Sequence, residues 1–257
     1  MKPPESHSAL EPDSLVSDKM RGRLIIFGAG GHAQVVADIL RLNKQYEMIG
    51  FLDEFNPQNY GSKLFGDLTV LGGSETLDQL KSEGVRFAFI GVGDCQARMR
   101  LAAVVTMKGF ELATAIHPRA IVADGATVGK GTVVCAGAVV GHGASVGENV
   151  FINTCASVDH HCNIEHGVHL APGVRLGGRV TVEEGANIGI GASIFDKVRI
   201  GRGTIIGAGS VITRNVPPGV VAYGVPGRII RSVEEQAQRR QSPPRAFVEA
   251  LDKGACR

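Results

Sequence analysis

The chain has 257 residues, room for one large or two modest domains, and is 44% apolar with 35 glycines and no tryptophan. Its net charge of +2 offers no footprint for nucleic acid or a bulk membrane surface, and no apolar run approaches the ~20 residues that span a bilayer. Five cysteines (Cys95, Cys135, Cys155, Cys162, Cys256) without a CxxC pair speak against a disulfide framework or a zinc site, so free thiols in a cytoplasmic protein are expected.

Residues 1–22 are polar, contain Pro3, Pro4 and Pro12, carry no signal-like apolar segment and read as a flexible arm. From Arg23 the chain alternates. Arg23–Phe27 predicts a buried parallel strand, Gly28-Ala-Gly-Gly-His-Ala33 a turn, and Gln34–Leu42 a helix through Val35, Val36, Ile39 and Leu40. Met48–Leu52 predicts a second strand ending at Asp53-Glu54, residues 56–73 a loop, and Ser74 the cap of a helix reaching Ser82. Arg86–Ile90 predicts a third strand before Gly91-Val-Gly-Asp94, Ala97–Lys108 an amphipathic helix, and Phe110–Ile116 a fourth strand broken by His117-Pro118. Such alternation over 23–118 describes a small doubly wound α/β domain.

Gly28-x-Gly30-x-x-Ala33, lying between strand and helix, lets backbone N–H groups and a helix N-terminus approach phosphates. Asp53, twenty residues past Ala33, is placed to hydrogen-bond a ribose or base. No second nucleotide-binding half fits before the next domain, so a diphosphate-bearing ligand suits the loop better than a redox dinucleotide. Tight strand–helix packing without any ligand is the plainer alternative.

From Val122 to Ile212 an aliphatic residue recurs at every sixth position without a break, sixteen in all. Gly often follows each stop (Gly129, Gly141, Gly147, Gly177, Gly189), and a small or β-branched residue stands four positions after it. A period of six fits neither an isolated helix nor a hairpin meander; it fits a β-solenoid in which three hexads close one coil. Residues 18 apart then stack at about 4.8 Å. One column reads Asp124, His142, His160, Gly178, Asp196 and Arg214, which stacks His142 on His160 and predicts open space for a ligand beside Gly178. His160, His161, His166 and His169 lie within ten residues and read as one dense cluster. Metal binding, a surface role and general-base catalysis are the candidate uses. Imidazole titrates near neutral pH, which favours the last.

The hexads, the opening Phe27-Gly-Ala-Gly-Gly-His32, the segment Asn153-Thr-Cys-Ala-Ser-Val-Asp-His-His-Cys-Asn-Ile164 and the terminal Tyr223-Gly-Val-Pro-Gly-Arg228 belong together. Across roughly residues 23–230 they resemble the sugar acetyltransferases of the sialic-acid O-acetyltransferase and bacillosamine N-acetyltransferase type. The resemblance implies a Rossmann-like nucleotide-sugar-binding domain (23–118), a left-handed parallel β-helix with a C-terminal cap (119–230) and a charged tail (231–257). It also implies a homotrimer with acetyl-CoA in the groove between neighbouring β-helices and no metal. His160 falls on the catalytic base, with His161 and Asp159 beside it. His169, Gly178, Ile190, Ala208 and Arg228 fall on cofactor positions, and Gly28, Gly30, Gly31, His32, Asp53, Glu54 and Gly91 on the nucleotide-sugar site.

His161 departs from the pattern, since the family often carries Glu or Asp after the catalytic histidine to support imidazolium. Asp159 or Asn153 is the expected substitute, and a backbone N–H near Gly178 the expected oxyanion donor. The implied activity is N-acetylation of a nucleotide-linked 4-amino-4,6-dideoxy sugar. O-acetylation of sialic acid, a non-catalytic scaffold or nucleotide-sugar sensor, and a hexapeptide carbonic anhydrase are the alternatives.

Overall fold

The computed structural model describes residues 22–234, so the N-terminal arm and almost all of the charged tail lie outside the described residues. Strand β1 (Gly22–Phe27) buries Leu24, Ile25, Ile26 and Phe27, with alternate residues on opposite faces. Leu24 and Ile26 share a core with Val36, Ile39 and Leu40 of α1 (Gly31–Asn43). Ile25 and Phe27 meet Leu77 and Leu80 of α2 (Leu77–Ser82) and Leu101 and Val105 of α3 (Cys95–Met107). A strand apolar on both faces requires helices on both sides, and this sheet has them.

The remaining strands are β2 (Tyr46–Leu52), β3 (Lys63–Phe65), β4 (Leu68–Gly72), β5 (Phe87–Ile90) and β6 (Glu111–Leu112), in the order β3-β4-β2-β1-β5-β6, parallel except for the β3–β4 pair. Three expectations change. The expected loop over 56–73 holds the β3–β4 hairpin, which extends the sheet edge. Ser74 does not cap α2: it opens a short 3₁₀ turn, because its hydroxyl and amide are drawn to the Glu54 carboxylate at 3.1 and 2.9 Å. The expected strand over 110–116 divides: β6 finishes the α/β sheet, while Ala115–Ile116 pairs with Val133–Val134 as the first rung of the next domain.

That domain is a parallel β-helix of hexapeptide repeats. Two-residue strands pair with partners 18 residues on, as in Val133↔Phe151 and Val140↔Val158, so the coil is a triangular prism. Its first face carries Ala115–Ile116, Val133–Val134, Phe151–Ile152, His169–Leu170, Asn187–Ile188 and Ile205–Ile206. The second runs from Ile121–Val122 to Val211–Ile212, and the third from Thr127–Val128 to Arg199–Ile200. Every sixth-position aliphatic is buried except Val122 and Val128, which sit in the open first coil with no rung beneath them. The antiparallel pair Val220–Gly224 and Gly227–Ser232 closes the other end of the first face against Ile205–Ile206.

Two glycine columns serve different needs. After the aliphatic stop, coils approach closely: a Cβ on Gly129 would lie 2.5 Å from the Gly147 carbonyl carbon. At the third position after the stop the backbone turns through positive φ on every corner from 125 to 209, with ten glycines and otherwise Asn149, Cys155, His161, Arg179 and Lys197. Outward-facing Val133 and Phe151 of the first face enter the core of the α/β domain, so the two domains are packed as one body.

Candidate active site

His160 and His161 occupy the corner between the second and third faces, just after Ser157–Val158. His160 is half-buried. Its Nδ1 lies 3.1 Å from Nδ1 of His161, so one of the two donates. The His161 ring also stands edge-on to His142, with centroids 5.9 Å apart. The column of 18 therefore brings these histidines together, but the ring against His142 is that of His161. His161 holds φ at +58°, a conformation that costs a non-glycine residue on the order of 1 kcal/mol.

The space expected beside Gly178 is filled from within: a Cβ there would lie 2.5 Å from His160 Nε2, so the glycine makes room for the imidazole itself. The Gly178 amide is not available as an oxyanion donor, since it donates to Asp196 Oδ1 at 3.1 Å. Nor does either expected substitute for the acidic partner hydrogen-bond to the His160 ring. Asp159 Oδ1 accepts from the His160 backbone amide at 2.6 Å, and Asn153 Oδ1 accepts from the Thr154 amide at 2.8 Å. His161 is the ring's partner. Cys162 is core, where burial pushes its thiol up to about 11, far from a nucleophilic thiolate at neutral pH.

The expected histidine cluster does not form. Hexads walk round the prism, so nine residues carry the chain half a coil. His160 lies on the edge opposite the first face, His166 on the corner between the third and first faces, and His169 on the first face, 7% exposed beneath the α/β domain. His169 Nδ1 lies 3.2 Å from the Gly93 carbonyl and must donate to it. His32 stands edge-on to His169 at 5.3 Å, and Phe151 packs on both rings. Burial and the Arg98 guanidinium hold His169 down at about 4 and lower His32 by the same causes.

Arg98 is fully buried at this interface and escaped the sequence analysis. A signal existed: Arg98, Leu101, Ala102 and Val105 share one face of α3 at i, i+3, i+4 and i+7, so the arginine lies on the apolar stripe.

The glycine turn opens onto a cleft of about 210 Å³ lined by Gly28, Gly30, His32, Asp53, Asn56, Gly91 and Gly93. Gly28 and Gly91 serve packing, since a Cβ on Gly28 would press on the Gly91 carbonyl at 2.8 Å and one on Gly91 on the Ala33 backbone at 2.7 Å. Gly30 and Gly31 face open space at the N-terminus of α1, which has no side-chain cap and no acid in its first turn. Such an end suits an anion. Both acidic residues have partners within the chain. Asp53 lines the cleft, but its carboxylate accepts from the amides of Phe55 and Asn56 and the side chains of Asn56 and Asn59. It shapes the loop. Glu54 holds Ser74 and does not line the cleft.

Among the other cofactor positions, Ile190 and Ala208 stack 18 residues apart on the corner between the first and second faces, both exposed, with Ile190 at 62%. Arg228 is exposed on the closing hairpin. No group of three or more metal-binding side chains gathers among the described residues, and none of their helices is long and apolar enough to cross a membrane.

A hexapeptide β-helix with a histidine pair on one edge, fused to a Rossmann-like domain with an uncapped glycine turn, defines the class of hexapeptide-repeat acyltransferases. Comparison with known proteins narrows it. The PglD N-terminal domain family model matches residues 23–105. A curated UDP-N-acetylbacillosamine N-acetyltransferase of Bacillus subtilis (strain 168) is 35% identical over 112 residues, 43% of this chain; the match spans about half (50%) of that relative's length. PerB from Caulobacter crescentus, solved with CoA and GDP-perosamine, has a TM-score of 0.77 at 36% identity, covering 81% of this chain and 97% of that one. The acetyltransferase domain of PglB from Neisseria gonorrhoeae FA1090, solved with acetyl coenzyme A, has a TM-score of 0.75 at 33% identity, covering 82% and 100%. The chain belongs to this bacillosamine-type family of sugar N-acetyltransferases.

Proposed function

We propose that this enzyme transfers the acetyl group of acetyl-CoA directly to the amino group of a nucleotide-linked 4-amino-4,6-dideoxy sugar, with His160 as general base. The observation that carries the assignment of the base is the seating of the His160 imidazole over Gly178, braced at Nδ1 by His161, on an edge of the β-helix. In the step, the amine nitrogen bonds to the thioester carbonyl carbon, Nε2 of His160 takes the ammonium proton, and the C–S bond breaks to release the coenzyme thiolate. An amine that is already partly deprotonated needs less help than a hydroxyl, so a base backed by a neutral histidine suits N-acetylation better than O-acetylation.

The sugar nucleotide is assigned to the cleft at Gly28–Gly31, Asp53 and Gly91, with phosphates at the N-terminus of α1. That cleft belongs to the domain packed on the first face, whereas His160 lies on the opposite edge. A sugar held there meets the His160 of a neighbouring copy, which supports a homotrimer with acetyl-CoA between subunits near Gly178, Ile190 and Ala208. A cytoplasmic location fits both substrates.

The test is a panel of UDP- and GDP-linked 4-amino-4,6-dideoxy sugars with acetyl-CoA, followed by thiol release. Turnover of one of them is expected. Silence across the panel with turnover of free sialic acid would replace this reading with O-acetylation.

A further inference from the structure

Arg98 heads the largest fully buried side chains, and none of the ion pairs among the described residues includes it. Apart from a contact of Nη2 with Cys95 Sγ at 3.7 Å, its donors go to backbone carbonyls of both domains. Nη1 donates to Val92 and Gly93 at 3.0 Å each; Nε donates to Asn149 at 3.0 Å; Nη2 donates to Gly167 at 2.8 Å and Val168 at 3.3 Å. The guanidinium also lies over the Phe151 ring, 4.4 Å from its centroid. Burying a cation without a carboxylate is costly, and an apolar side chain of similar length would fill the space without that penalty. What the planar fork adds is direction, because it ties the turn that floors the nucleotide cleft to two successive coils of the β-helix.

We propose that Arg98 is a positioning residue for acetyl transfer: by fixing the Gly93 carbonyl it holds His169 as the Nδ1–H tautomer, with Nε2 bare toward the reaction. The Gly93 oxygen accepts from both Arg98 Nη1 and His169 Nδ1, so the arginine fixes the acceptor that decides the tautomer. Nε2 makes no hydrogen bond among the described residues and is not sealed, so it is the end of the ring that a ligand can reach. A bare Nε2 accepts a hydrogen bond and cannot donate one. It therefore suits the N–H of an attacking amine and not the oxyanion of the tetrahedral intermediate. The groups around His169 agree. Arg98 from α3 and His32 from α1 disfavour a second cation, Phe151 and Asn187 flank the ring on adjacent rungs, and Asp94 is engaged at the start of α3 by the Ala97 amide.

The role rests on the family resemblance, which puts His169 on a cofactor position, and on the proposed acetyl transfer, and the test separates the two. Side-chain ¹⁵N spectra of the full chain with labelled histidine, from about pH 5 to about pH 8, report tautomer and charge directly. His169 is expected as a single, non-titrating Nδ1–H form. A wild-type Nε2–H form overturns the proposal without any variant, so a poorly folding mutant does not shield it. In Arg98→Met the tautomers are expected to mix and kcat to fall about 10²-fold, as for a misplaced group, with KM for acetyl-CoA nearly unchanged. Arg98→Lys is expected to recover only part of that, since one ammonium cannot reproduce the fork. Wild-type kcat and pH profile in a folded Arg98→Met would make Arg98 purely structural and end the proposal. Full activity in His169→Gln would instead remove His169 from the reaction and the positioning role with it, while leaving His160 and the wider reading intact.

Discussion

His160 and His169 are nine residues apart in sequence and differ in almost every physical respect. His160 sits on an edge of the prism, partly in solvent, against another imidazole and a glycine. His169 is largely buried between domains beside a buried guanidinium and donates to a fixed carbonyl. The first is reachable from solvent at the edge of the prism. The second is held neutral and can only orient. Under the proposed function, the same side chain in two environments supplies a base at the edge and a fixed polar contact between the domains.

The comparison can be broken most directly at His160. His160→Ala is expected to lower kcat about 10² to 10⁴-fold, the range a general base supplies, with KM for acetyl-CoA little changed, measured by thiol release. Undiminished turnover would make the two histidines equally dispensable.

At His169 the expected signature lies in stability. The folded value near 4 is below the ordinary 6.5, so the unfolded chain binds the proton first as the solution is acidified. The His169 contribution is fully present above about pH 6.5 and is lost as pH falls toward 4, amounting to about 3 kcal/mol. Urea melts of wild type and His169→Gln should converge in slope against pH only if this residue carries no such linkage.

Gly178→Ala sharpens the contrast at the edge. The added Cβ would collide with His160 Nε2, so the ring must move, and kcat is expected to drop about tenfold or more with the melting temperature nearly unchanged. The smallest effect belongs to His161→Asn. Asparagine tolerates the left-handed backbone at this corner, so the fold is kept while the Nδ1 brace is removed, and kcat should fall about three- to tenfold, the worth of one hydrogen bond. A fall as large as that of His160→Ala would make His161 a full partner in the base.

Much of this was legible in the chain. The hexads announce the β-helix because each sixth residue has to be buried in a prism with one side chain per strand inside. The turn at Gly28–Ala33 announces a strand-to-helix connection with little steric bulk. Other features were misread for physical reasons. The four histidines from His160 to His169 looked like a cluster because they are close in sequence, yet a coil of three hexads carries them onto different sides; half a coil separates the two that matter. Asp53 looked free to meet a ligand, and the amides of its own loop already engage its carboxylate at the edge of the cleft. The glycine at 178 looked like open space and is the seat of an imidazole.

The sequence by itself determined the architecture, the fusion of a doubly wound domain to a β-helix, and the column that brings His142, His160 and His161 to one edge. These follow from periodicity, and periodicity is local. Only the tertiary structure decided which face of the prism the α/β domain covers, that Arg98 would lie buried between the two, and that His169 would thereby be desolvated. Those outcomes depend on contacts between segments 51 to 76 residues apart, such as Arg98 with Asn149 and His169 with Gly93, and no repeat in the chain encodes them.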